Sequence, residues 1–94
     1  MNEEEKDAIN AAFGRALKRK RRIELDLGQK KIEEIANLGH KTITKLEQGE
    51  RGPSFLTLFK LRVLAGISID ELIEEAVEEL KESGLDLTYI LEKE

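Results

Sequence analysis

The residues of this 94-residue chain best equipped for chemistry form a polar strip between positions 40 and 48. His40, Lys41, Thr44, Lys45 and Gln48 fall at spacings that place all five on one face of a helix. Lysine can donate to guanine O6 and N7, and neutral histidine can donate or accept one bond. The strip could therefore contact nucleobase edges, although the solvated face of an ordinary amphipathic helix would look similar.

Two short helices are predicted to position this strip. We expect them over 29–36 and 40–48, with a tight turn at 37–39 between them. The apolar residues recur at a spacing that closes one helix on the other: Ile32, Ile35, Leu38, Ile43 and Leu46. A helix propped in this way can enter the major groove of DNA.

Helical periodicity also predicts a helix before the motif and two after it, so the expected fold class is all-α. The first of these precedes the motif. This helix should begin near Asn2, a good N-cap with Glu5 three residues later. It should end in the basic run 18–22, whose cations suit a helix C-terminus. We interpret 23–27 as a loop, although its alternation of apolar and acidic residues would also suit an extended segment.

The end signals of two more helices follow the motif. Ser54 should cap the fourth helix, and Gly66 should end it in the left-handed conformation. Ser68 and Glu71 form the pattern of a capping box for the fifth helix, which runs toward Gly84.

Composition limits the classes of protein to consider. A chain of this length makes one small domain. With no cysteine and one histidine, we expect no disulfide, no metal site and no cofactor. No apolar run is long enough to cross a membrane, so we expect a soluble cytoplasmic protein. We find no nucleophile with a base and no phosphate-cradling loop, so we do not expect an enzyme.

Charge is distributed unevenly along the chain. The net charge is −4, but residues 15–62 hold thirteen Lys or Arg against six acids. Residues 63–94 hold ten acids and two lysines. The basic middle coincides with the helix pair, so a field that attracts phosphate would be local to it.

From Gln29 to Leu72 the sequence resembles, without a gap, the Cro/CI-type helix-turn-helix family of XRE-like transcriptional regulators. The most specific block is 42–49 followed by Pro53. The resemblance implies a compact five-helix domain, which we place at 1–75. Residues 76–94 lie beyond it and would form an acidic C-terminal helix extension and tail. It also implies sequence-specific binding of double-stranded DNA, commonly by a repressor that binds a palindromic operator as a homodimer.

The resemblance also assigns roles to residues. Base contacts near the start of the second motif helix would fall on His40, Lys41, Thr44 and Lys45. Phosphate contacts would fall on Gln29, Lys30, Thr42, Gln48, Arg51 and Arg19. Thr42 could equally pack at the turn, Arg51 could lie in an ordinary exposed loop, and the run 18–22 could only complement its helix end.

A structural ion pair is expected between the first helix and the second motif helix. In related proteins an arginine late in the first helix pairs with the glutamate that corresponds to Glu47. Helical phase from Phe13 and Leu17 puts Arg21 on the inward face, which favours it over Arg22.

Four positions depart from the family pattern. Glu33 stands where a small alanine is usual, so we expect it to swing out to solvent or to widen the helix crossing. Gly28 and Gly39 replace the usual Ser or Thr caps, which costs little. Asn37 replaces the turn glycine and tolerates the same conformation.

The acidic C-terminal segment suggests a second interface. An apolar face continues past the motif domain, and we predict that it forms the dimer interface through Ile73, Ala76, Val77, Leu80, Leu87 and Tyr89. The alternation over 85–91 suits a short strand or an arm, or the segment could simply cover the fifth helix. As an alternative function, the segment would hold a protein partner such as a toxin, as antitoxins of this fold do.

Overall fold

The computed structural model describes residues 1–93, and this part of the chain contains six α-helices. They are α1 (Glu3–Arg19), α2 (Gln29–Ile35), α3 (Thr42–Glu47), α4 (Phe55–Val63), α5 (Ile69–Glu82) and α6 (Leu87–Glu92). A π-helical turn (Lys20–Glu24) continues α1. The predicted all-α fold class is confirmed. None of the described helices is long and apolar enough to span a membrane.

The first helix begins as predicted and ends differently. Asn2 accepts from the Glu5 N–H at 2.8 Å, and Glu5 accepts from the Asn2 N–H at 2.9 Å, which completes the capping box. The helix then widens into the π-helical turn, where the Leu25 N–H donates to the Lys20 carbonyl at 3.0 Å. The predicted loop over 23–27 is therefore wrong at its first two residues. Asp26, at φ 51° in the left-handed region, then ends the helical backbone.

The main core lies between α1 and the helices that pack around it. Its fully buried side chains come from each of the helices α1 to α5 and from the link between α4 and α5. They are Leu17, Ile32, Ile43, Leu46, Leu61, Ile67 and Leu72. Residues of α2 and α3 thus meet α1 through their apolar sides. This packing leaves the opposite side of α3 free for solvent or a ligand.

A glycine inside α1 allows the closest helix approach. A Cβ on Gly14 would overlap the carbonyl oxygen of Leu46 and lie 3.1 Å from the Cα of Glu47. The backbone at the end of α3 therefore rests directly on α1. A helix-interior glycine normally weakens a helix by about 1 kcal/mol relative to alanine, so the contact explains why one stands here.

The C-terminal segment is helical. Asp86 caps α6 by accepting from the Tyr89 N–H at 3.1 Å, and Ile90 is buried. The expectation of a short strand over 85–91 is therefore wrong, and the arm that packs back is a helix. Leu87, Ile90 and Leu91 also fit helical spacing, and so short a run does not separate the two periods. Leu85 and Leu87 pack beside a small cluster of α1 and α5 residues: Ala12, Ala76 and Leu80.

We predict that Gly14→Ala destabilises the protein even though alanine favours helix formation. The added methyl collides with backbone that cannot move without shifting α3, so the loss should be about 2–4 kcal/mol. Chemical denaturation measures it. Gly39→Ala is the matched control, because its nearest neighbour would be the Thr42 hydroxyl at 3.5 Å. Equal stability of the two variants would contradict the close crossing.

Candidate nucleic-acid interface

The turn between α2 and α3 has the geometry expected of the motif. Asn37 adopts φ 53°, as predicted for a residue in place of glycine. Its carbonyl accepts from Lys60 Nζ of α4 at 2.9 Å, and the Leu38 N–H closes the end of α2 by donating to the Glu33 carbonyl at 2.8 Å. The turn is thereby tied to a third helix, which fixes the direction in which α3 leaves it.

Helix α3 is shorter than predicted. It begins at Thr42 and ends at Glu47, whereas the sequence indicated 40–48. Lys41 lies at φ 64°, in the left-handed region, so the helix cannot extend back through it. His40 and Lys41 therefore lie in the turn before α3, and Gln48 is its C-cap. The five strip residues do not share one helical face, although all border the same short element.

A buried ion pair joins α3 to the end of α1. Arg21 donates to both carboxylate oxygens of Glu47, from Nε at 2.6 Å and from Nη2 at 2.9 Å. Its remaining terminal nitrogen donates to the Leu27 carbonyl at 2.9 Å. The side chains of the pair are 9% and 3% exposed, so it is largely shielded from water. The expected partners are present, with Arg21 rather than Arg22 turned inward.

The same carboxylate reaches α2. Gln29 Nε2 donates to Glu47 at 2.9 Å, and the side-chain Oε1 of Gln29 accepts from the Thr44 hydroxyl at 2.9 Å. Two residues expected to face DNA are thus engaged within the protein. Each keeps spare hydrogen-bonding capacity, because a hydroxyl can also accept and an amide has a second N–H. Their first effect is to lock the start of α2 to the middle of α3.

Glu33 does not follow the first of the two expectations drawn for its departure from the family pattern. Its side chain is buried, and its carboxylate accepts from the backbone N–H of Ile43 at 3.0 Å. The prediction that it swings out to solvent is wrong. No side chain caps α3 locally, because its N-cap is Lys41. Glu33 satisfies a free N–H of the first turn from the neighbouring helix, and its charge suits that helix end.

The sequence contained a signal for this role that we did not use. An acid replaces a small residue at the helix crossing, and the Ser or Thr cap expected at the start of α3 is missing. The two departures compensate each other. Glu33 therefore belongs with Arg21, Gln29 and Glu47 among the residues that hold α3 in place.

Cationic side chains surround α3 without acidic partners. Among residues 1–93, Lys30, Lys41, Lys45 and Arg51 are exposed and form no ion pair, and the exposed His40 imidazole lies in the same turn as Lys41. They come from the start of α2, the turn before α3, α3 itself and the loop after it. We call this set the cationic surface. Thr42 is half-buried and Gln48 is exposed at its margin.

Arg19 does not join the cationic surface. It leaves α1 toward α5, where its guanidinium lies 3.8 Å from Glu79 and 4.0 Å from Glu75. Arg21, by contrast, leaves toward α3. Acids of α5 thus compete with DNA for Arg19, and its phosphate contact stays a prediction.

Acids of α5 and the π-helical turn pair with further cations of α1. Hydrogen bonds from Arg15 lower the pKa of Glu79, and the same bonds raise the pKa of Arg15. Hydrogen bonds to Glu24 and Glu71 raise the pKa of Lys20 to about 12. Arg19, Lys20 and Arg21 of the basic run are thus paired inside the monomer, whereas the cations around α3 are not.

Some of the residues predicted to form a dimer interface are buried within the monomer, and others are exposed. Ala76 and Leu80 are largely buried against Ala12 of the same chain, although both still line an apolar groove. Packing within the monomer thus uses part of the predicted surface, and the dimer interface on this face stays a prediction. Ile73 and Tyr89 remain exposed. The tail packs on α5, which was the alternative interpretation of 85–91.

We predict that Glu47→Ala costs about 3–5 kcal/mol, because it leaves the buried Arg21 charge without its partner. Urea denaturation followed by circular dichroism measures the loss. Glu50→Ala is the control, since Glu50 is an exposed acid in the turn that follows α3. A change below about 0.5 kcal/mol for Glu47→Ala would show that the pair does not stabilise the fold.

We predict that Glu33→Ala and Glu33→Gln differ. Alanine removes the acceptor of the buried Ile43 N–H and should cost about 1–3 kcal/mol, whereas the glutamine carbonyl can still accept. Hydrogen exchange of the Ile43 amide distinguishes the cap from general packing. That amide should exchange much faster in the alanine variant than in the glutamine variant, and equal protection in the two would refute the cap.

Comparison with known proteins agrees with this geometry. The family model described as helix-turn-helix matches residues 17–72, which is more than half of the chain. No curated protein and no solved structure matched the chain. The matched region runs from the end of α1 to the start of α5, and so includes the whole α2–α3 motif with its supporting network. The chain belongs to the Cro/CI-type (XRE-like) helix-turn-helix family of DNA-binding transcriptional regulators.

Proposed function

We propose that this regulator is a repressor that binds a palindromic operator as a homodimer, with α3 and the turn before it in the major groove. The observation that carries the proposal is the set of unpaired cations around a helix that is held rigidly from behind. A DNA reader needs both properties, because phosphate contacts fix its register and a rigid helix presents the base-reading side chains.

Base contacts are assigned to the N-terminal end of α3. Lys41 and His40 precede the first turn, where residues of a recognition helix lie deepest in the groove. Lys45 follows one turn later and is exposed. Lysine at either position would favour guanine. Thr44 can accept a bond from a base while its hydroxyl hydrogen is directed to Gln29.

Phosphate contacts are assigned to the flanks of α3. Lys30, at the start of α2, and Arg51, in the loop after α3, lie on opposite sides of the motif in the chain. Thr42, Gln48 and the second N–H of Gln29 complete the proposed set. In a dimer the two α3 helices should lie about 34 Å apart, so that the half-sites are one helical turn apart.

A protein partner is the second candidate. Glu74, Glu78 and Glu82 of α5 are exposed, and among residues 1–93 they have no basic partner. That acidic face would repel DNA and suits a basic protein such as a toxin. Binding of duplex DNA with no dependence on salt, or no binding at all, would favour this candidate over the repressor.

We predict that the affinity for an operator selected from random duplexes falls steeply with salt. If each monomer neutralises about five phosphates, the slope of log affinity against log salt should be near −4.5 per monomer. Lys45→Ala should weaken binding by about 1–3 kcal/mol and relax the preference at one base pair. Fluorescence anisotropy titrations at several salt concentrations measure both effects.

Lys81→Ala is the matched control, because Lys81 is an exposed lysine on α5, away from the cationic surface. It should leave the affinity and the slope unchanged. If Lys81→Ala and Lys45→Ala weakened binding equally, the binding would be a non-specific charge effect and the assignment of α3 would be wrong.

A further inference from the structure

One side of α4 exposes four large apolar side chains that the DNA-binding role does not use. Phe55, Leu56, Phe59 and Val63 are 68%, 63%, 58% and 63% exposed. The two phenylalanine rings lie 5.7 Å apart and form a continuous surface. We call these four residues the α4 stripe.

The stripe is not a by-product of core packing. Helix α4 already packs its other side on the core, with Leu61 fully buried and Leu58 partly buried. At 100° per residue, the four stripe residues fall within about 100° of arc on the side opposite to Leu61. A helix that is apolar on both sides normally has neighbours on both sides.

The exposed area of the stripe corresponds to a protein interface of standard size. With about 150–250 Å² for a whole aromatic side chain, and about 150 Å² for each aliphatic one, the exposed fractions give the stripe roughly 400–500 Å² of apolar surface. A standard interface buries about 800 Å² per partner, of which about 56–65% is apolar. The two quantities agree. A patch of this size is comparable to the largest apolar patch on a typical monomer, which often has a function.

We infer that the α4 stripe is the self-association surface of this protein and that its occupant is the α4 stripe of a second copy. A two-fold axis makes one patch contact itself, so both partners contribute this area by symmetry. Phe55, Phe59 and Val63 lie four residues apart and form one row along the helix. Rows of this kind interdigitate when two helices pack at about −50°.

The C-terminal apolar surface is a weaker candidate for the same contact. Ala76 and Leu80 are already covered by α1, and what remains is a groove of about 220 Å³. The exposed Tyr89 ring is covered on one face by the ammonium of Lys93, 5.1 Å from the ring centroid. The dimer contact is therefore moved from α5 and α6, where the sequence placed it, to α4.

Pairing through α4 would also fix the spacing of the two α3 helices. The loop from α3 to α4 is pressed onto α1, because a Cβ on Gly49 would lie 3.0 Å from the Cα of Ala11. Lys60 of α4 holds the turn before α3. This consequence rests on the proposed function, whereas the self-association itself is measured without DNA.

Leu56→Glu tests the inference in the full-length protein. Leu56 is the second residue of α4, where a carboxylate interacts favourably with the helix dipole, so the variant should fold normally. In the stripe, however, the charge would be buried against a second copy. Sedimentation equilibrium from 1 to about 200 μM should give a dimer for the wild type and 10.7 kDa for the variant.

Tyr89→Glu is the matched control, since it places the same charge in the first turn of α6 at a side chain that is 60% exposed. It should remain dimeric, with the same melting temperature as the wild type. A monomeric wild type at 200 μM would overturn the inference. So would a monomeric Tyr89→Glu variant beside a dimeric Leu56→Glu variant. Failure of the wild type to bind DNA while it still dimerises through α4 would instead contradict only the proposed function.

Discussion

The buried contact between Arg21 and Glu47 is the interaction on which the rest of the motif depends. It joins the end of α1 to the end of α3, and through Gln29 it also reaches α2. A buried ion pair adds little net stability, because desolvation offsets most of the attraction. Its value is geometric, since a bidentate guanidinium permits one orientation of the carboxylate. It also neutralises an acid at a helix C-terminus, where negative charge is unfavourable.

Helix α3 needs such support because six residues are too few to form a stable helix alone. Two carboxylates hold it, one near each end. Glu33 of α2 accepts from a backbone N–H at its beginning, and Glu47 binds α1 and α2 from its end. Between them, Ile43 and Leu46 are buried and Gly14 lets the backbone rest on α1. The helix is therefore positioned by its neighbours, while its outer side stays free.

The fold also pairs some cations of this acidic protein with its acids and leaves others unpaired around α3. Acids of α5 face Arg15, Arg19 and Lys20, so this part of the basic middle segment is balanced within the monomer. The lysines around α3 have no such partners among the described residues. A net charge of −4 is thus compatible with a cationic surface. Some acids of α5 pair with cations of the same chain, and others are exposed on α5, away from α3.

The sequence by itself determined the all-α class, the place of the α2–α3 motif, the caps at Asn2 and Ser54, and the inward turn of Arg21, because helical periodicity and capping are local properties. Tertiary structure decided where α3 begins, the role of Glu33, the burial of Ala76 and Leu80, and the engagement of Arg19 by α5. These depend on which helices meet, and spacing along one helix does not contain that information. The exposure of Phe55 and Phe59 belongs to the same group, because apolar residues on both sides of a helix do not reveal which side the core takes.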